Sequence, residues 1–121
     1  LAGLVLLELL ATEKTTVKRL LVRLEKRFGE HRYDRLDTNF PLKKRAALMK
    51  FCSDHPPAKL AGSPLAEVKK YDGVKYIAEN GAWLMLRGSG TEPILRIYAE
   101  ANSVTKARQL IQLGVRLTEK V

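Results

Sequence analysis

Thiol and imidazole chemistry is nearly absent from this chain. Its 121 residues include one cysteine, Cys52, and two histidines, His31 and His55. No intrachain disulfide can form, and a reducing cytoplasm is the compartment that fits best. Cys52 has alanine and leucine neighbours in a helix-like stretch, where a plain buried thiol is the expected state. Neither histidine has a partner at metal-ligand spacing, so both read as loop or turn residues and no metal site is expected here. Aromatic residues make up only 7% of the chain, and none interleaves with its main basic run. The stacking platforms of nucleic-acid binders are therefore missing. No apolar run reaches the ~20 residues of a membrane span, and no signal-peptide pattern is present. Nucleic acid and membrane are accordingly not expected as partners.

What remains is an ordinary globular composition, 45% hydrophobic and 29% charged, with a formal charge of +9. Such a chain can bury one compact core. Lys14, Lys18, Arg19, Arg23, Lys26 and Arg27 fall in one helical stretch with a separate apolar stripe, and a solvated basic face accounts for them. Residues 1–11 are apolar nearly all round, the pattern of a helix buried within a larger protein. The expectation is a piece of a longer chain. Residues 1–30 would be the end of a preceding domain plus linker helices, and residues 31–121 a domain of their own. The exposed apolar helix would either pack back on that domain or let the piece dimerise through residues 1–11.

Periodicity supplies the elements. Val17, Leu20, Leu21, Leu24 and Phe28 predict a helix over 15–28, ended by Gly29. A short strand is expected over 33–40. A helix follows over 42–53, started by Pro41 and turning Ala47, Leu48, Phe51 and Cys52 inward. Three prolines and a glycine make 55–64 read as loop. Strands are expected over 65–71, 74–79, 82–87 and 94–101, joined at Asp72-Gly73, at Asn80-Gly81 and by the 88–93 loop. Ser103 caps a last helix with Val104, Ala107, Leu110, Ile111, Gly114 and Leu117 on its apolar stripe. The fold class is α+β: an antiparallel sheet of about four to five strands with two helices packed on it, preceded by one or two further helices.

The chemically pointed segment is Arg87-Gly88-Ser89-Gly90-Thr91-Glu92-Pro93. Glycines permit φ > 0 and close backbone approach. Backbone N–H groups in such a turn can converge into an anion nest. Ser89 and Thr91 add hydroxyls, and Arg87 adds a planar fork suited to phosphate. Arg96 on the returning strand can add charge or pair with Glu92. The segment is neither a Walker A loop nor a Rossmann fingerprint, because it lacks the Gly-Lys-Ser/Thr ending and no βαβ unit surrounds it. The residues alone point to an anion-binding hairpin loop without naming the anion.

With the strand Leu95-Arg96-Ile97-Tyr98-Ala99-Glu100-Ala101, that motif resembles the C-terminal, fourth domain of the α-D-phosphohexomutase family. Tyr33-Asp34-Arg35 and Asp72-Gly73-Val74-Lys75 fall where the family would place them, and residues 1–11 resemble the last helix of its third domain. The Tyr98–Ala101 ending is closer to the phosphoglucomutase/phosphomannomutase branch than to the phosphoglucosamine mutase branch. The resemblance implies a TATA-box-binding-protein-like domain in a cytoplasmic isomerase of carbohydrate metabolism. Such an enzyme is a phosphoprotein that interconverts hexose 1- and 6-phosphates through a phosphoserine and a bisphosphate intermediate. It implies magnesium in the parent enzyme, bound outside this chain. It also implies that Arg87, Gly88, Ser89, Gly90 and Thr91 hold the phosphate of a hexose phosphate or bisphosphate, with Glu92 and Pro93 shaping the loop; Arg96, from its place on the returning strand, is a further supporting candidate beside Glu92. No serine-histidine phosphorylation loop, aspartate-rich metal loop or sugar-reading loop occurs in the sequence, so no catalytic residue is expected here and the chain alone should be inactive. The alternatives are a phosphoglucosamine mutase domain or a free-standing module for anions or nucleic acid.

Overall fold

A computed structural model describes residues 1–121. The chain separates into two compact units, residues 1–30 and 31–121.

The first unit holds two helices, α1 (Ala2–Thr12) and α2 (Val17–Phe28). Thr16 caps α2 by accepting from the Arg19 amide at 3.3 Å, so the helix starts two residues later than the expected 15–28. Gly29 at φ +89 ends it. Neither helix contains a buried residue.

The second unit is a six-stranded antiparallel sheet with two helices on one face. Its strands are β1 (Arg32–Asn39), β2 (Lys59–Leu60), β3 (Ser63–Lys69), β4 (Val74–Ala78), β5 (Trp83–Gly88) and β6 (Ile94–Ala101), in the spatial order β1-β6-β5-β4-β3-β2. The helices are α3 (Arg45–Asp54) and α4 (Val104–Thr118). Alternation decides which face is covered. Val74, Tyr76, Ala78, Leu84, Leu86, Leu95, Ile97, Ala99 and Ala101 point into the core beneath the helices. Leu48, Cys52, Ala107, Leu110 and Ile111 meet them from the helix side.

Several local expectations are corrected. The sheet has six strands rather than four to five, because 55–64 is not all loop. Leu60 is fully buried, and Ala61 and Gly62, at φ +47 and +92, form a tight turn that pairs β2 with β3. Pro64 is tolerated beside this short edge strand. At Asn80-Gly81 only Gly81 takes positive φ. Its amide bonds the Ala78 carbonyl at 2.9 Å while Ala78 N–H bonds the Ala82 carbonyl at 2.8 Å, a three-residue rather than two-residue hairpin loop. The helix expected over 42–53 begins as a 3₁₀ turn at Leu42–Lys44. Ala47 is exposed, because the buried line of α3 runs through Leu48 and Cys52. Val104 likewise points outward at the start of α4.

Candidate functional site

The 88–93 loop hangs from the ends of two long central strands. Register pairs Gly88 with Leu95 and Arg87 with Arg96. The Ser89 amide donates to the Ile94 carbonyl at 2.9 Å, and the Ile94 amide to the Glu92 carbonyl at 2.7 Å. From the other side, the Phe40 amide donates to the Pro93 carbonyl at 2.8 Å. The loop is therefore closed by backbone bonds to both neighbours.

The expected donors do not behave alike. Ser89 is 8% exposed, its amide is spent on Ile94, and its Oγ accepts from the Glu92 amide at 3.3 Å. It shapes the loop and retains only its hydroxyl hydrogen as a free donor. Gly90 and Thr91 are exposed, and their amides and the Thr91 hydroxyl make no hydrogen bond within the chain. These donors are the ones available to an anion. Neither Gly88 nor Gly90 takes positive φ, so the glycines serve by lacking a Cβ rather than by an unusual backbone. Around Gly90 the space is open. At Gly88 a Cβ would run into the Arg45 side chain, whose Nη2 donates to the Glu92 carbonyl at 2.9 Å.

Charge gathers at the loop's root. Arg87 and Arg96 face each other on adjacent strands, an arrangement that repels unless each has an acid nearby. Arg87 Nε lies 2.6 Å from the Asp72 carboxylate. Arg96 Nε lies 3.7 Å from Asp37, and an Arg96 terminal nitrogen lies 4.0 Å from Glu92. Arg96 Nε is buried without a hydrogen-bond partner. Arg35 donates to both carboxylate oxygens of Asp37, at 2.7 and 2.6 Å. That bidentate bond, aided by the Arg35 and Arg96 charges, holds the Asp37 carboxyl below the ordinary range.

Arg45, Asp72 and Asp37 were not anticipated at this site. Arg45 arrives from 42 positions upstream of Arg87, and Asp72 reads in sequence as a turn residue within a family-like motif, with no sign that it reaches Arg87. Glu92 and Arg96 do approach each other, at the limit of an ion pair.

The uncovered sheet face carries Tyr33, Trp83 and Tyr98 as one cluster, with ring centroids 6.4 and 6.5 Å apart from Tyr33. Lys75 sits 3.9 Å above the Trp83 ring, and Arg35 5.4 Å from the Tyr98 centroid. Cations thus already occupy a face of Trp83 and of Tyr98, which leaves less free ring surface for a base. No group of three or more His, Cys, Asp or Glu side chains is placed to hold a metal ion. No helix is long and apolar enough to cross a membrane.

Residues 32–113 match the family described as phosphoglucomutase/phosphomannomutase, C-terminal domain. A phosphoglucomutase/phosphomannomutase of Thermococcus kodakarensis is 49% identical over 61 residues, covering 46% of this chain and 13% of that protein. A phosphoglucosamine mutase of Methanococcus aeolicus is 37% identical over 54 residues, covering 45% and 12%. A phosphopentomutase of Thermococcus kodakarensis is 26% identical over 81 residues, covering 67% and 18%. The matched part of the chain thus spans less than a fifth of the length of each of these relatives.

Proposed function

Because this chain belongs to the phosphoglucomutase/phosphomannomutase C-terminal domain family, we propose that it grips the substrate phosphate for a larger sugar-phosphate mutase. In this reading the parent enzyme interconverts hexose 1- and 6-phosphates through a phosphoserine and a bisphosphate intermediate. Its phosphoserine, its magnesium and its sugar-reading residues lie in preceding domains, in the cytoplasm. The chain supplies Arg87, Ser89, Gly90 and Thr91, with Gly88 admitting Arg45 at the loop root and Glu92 and Arg96 in support.

The observation that carries this reading is the set of unspent donors at Gly90 and Thr91 beside the Arg87–Arg96 pair. Two guanidiniums facing each other next to bare amides suit a dianionic phosphate better than they suit each other. The phosphate held here is the one that is not transferred. Its binding energy orients the reacting end of the sugar without entering the chemistry. A phosphate grip is insensitive to ring stereochemistry, and the relatives' names span several sugars. The hexose reading follows the first of these names.

The test is an amide NMR titration of the chain with a hexose 1,6-bisphosphate. Shifts confined to residues 87–91 are expected. Arg87→Ala should weaken binding at least about tenfold, in line with the loss of a charge-assisted hydrogen bond, while Lys106→Ala should bind as the parent chain does. Equal, small effects of the two substitutions sink the reading. Broad, salt-sensitive shifts along 14–27 on adding an oligonucleotide would favour a nucleic-acid module instead.

A further inference from the structure

The Asp72-Gly73 turn between β3 and β4 does more than reverse the chain. Gly73 has φ +115, and a Cβ there would collide with the Leu86 carbonyl oxygen and lie 3.1 Å from Arg87 Cα. Only glycine can seat the turn this closely on the backbone that carries Arg87. The Gly73 amide also donates to the Tyr71 carbonyl at 3.0 Å, which tightens the turn on itself. Asp72 and Arg87 thus hang from one shared backbone frame, with the carboxylate 2.6 Å from Arg87 Nε. This contact is an ion pair at the Nε side of the guanidinium, and the Arg87 side chain makes no hydrogen bond elsewhere in the chain.

We propose that Asp72 is a positioning residue for the phosphate grip: from a turn docked through Gly73, it holds the Arg87 guanidinium by its Nε side and leaves both terminal nitrogens for the phosphate. This rests on the reading of the 87–91 loop as a phosphate site. Stability does not explain the pair. Its side chains are 43% and 67% exposed, and ion pairs of that kind contribute little. Preorganisation does explain it. A free arginine side chain loses rotamer freedom on binding, whereas one held by its Nε has already lost much of it. The arrangement also offsets the repulsion between Arg87 and Arg96 while the site is empty.

The sign of one substitution separates this role from the bland one. Asp72→Asn removes a negative charge beside an anion site and keeps a side chain of the same shape in the turn. If Asp72 merely competes with phosphate for Arg87, binding tightens; if it positions Arg87, binding weakens. The experiment titrates the full chain with inorganic phosphate and with a hexose 1,6-bisphosphate, reading the Gly90 and Thr91 amides. Asp72→Asn is expected to weaken both ligands roughly fivefold, the scale of an ordered side chain's lost preorganisation. In an Arg87→Ala background the same change should have no effect, because Asp72 acts through Arg87. Unchanged or tighter binding by Asp72→Asn, or an equal loss in both backgrounds, overturns the proposal and leaves the phosphate reading standing. No response at residues 87–91 in the unsubstituted chain overturns both.

Discussion

Tyr76 shows how one residue joins sheet, helix and pH. It is fully buried on β4, and its hydroxyl donates to the Cys52 carbonyl at 2.7 Å. That carbonyl lies in the last turn of α3, where helix carbonyls have no partner of their own. Tyr76→Phe should therefore cost about 1–3 kcal/mol by stranding a buried acceptor, measurable by urea unfolding near pH 7. Burial pushes both the Tyr76 phenol and the Cys52 thiol above their ordinary values of 10.0 and 9.0. The folded state thus favours their neutral forms. Their contribution is complete below about pH 9 and is lost as pH rises through and beyond 9–10. The chain should lose stability on going from pH 8 to pH 10.5, and Tyr76→Phe should lose less; an identical alkaline loss in both refutes the assignment. At this same scale the candidate anion loop is legible where chemistry is local. Arg87 to Thr91 are consecutive, so their donors and glycines announce themselves. Arg45 and Asp72 were not legible, because only the fold brings them to the loop root, and in sequence they pass for a helix-start cation and a turn residue.

Among the elements, α4 sets the distance between helix and sheet through Gly114. A Cβ there would lie 2.5 Å from Ile97 Cγ2 and 3.3 Å from a Leu84 methyl. Alanine would gain about 1 kcal/mol of helix propensity, but the overpacking of a β-branched neighbour held in a central strand costs about 1–3 kcal/mol. Gly114→Ala should be net destabilising and lower the thermal midpoint by several degrees; a raised midpoint would mean that α4 can shift without cost. Strand faces were readable from alternation in β4, β5 and β6, because each has one face in the core and one outside. Alternation fails in β1, an edge strand where Leu36 is 38% exposed on the helix side and Tyr33 57% exposed on the other. It is uninformative in β2, whose two residues are too few to show a period and are surrounded by prolines. There the burial of Leu60, a tertiary fact, decides.

Across the whole molecule, the buried core is confined to residues 40–111 and the first unit has none. A domain that holds its own core can fold alone. A chain of residues 31–121 should keep the parent chain's amide spectrum for β4, β5 and β6 and its response to phosphate at 87–91. Loss of cooperative unfolding in that shortened chain would show that the first unit is required. The first unit poses the opposite problem. Leu4, Val5, Leu6, Leu7 and Leu9 expose between 38% and 69% of their surface on one eleven-residue helix. Contiguous apolar surface of this kind drives association in water. A second copy of the chain is one cover this surface could take. Sedimentation velocity should therefore show concentration-dependent dimers for the full chain and monomers for a chain lacking residues 1–12. Dimers in both would move the contact to the second unit, where the uncovered aromatic and basic face of the sheet would be the next surface to test by substitution at Tyr33 and Trp83.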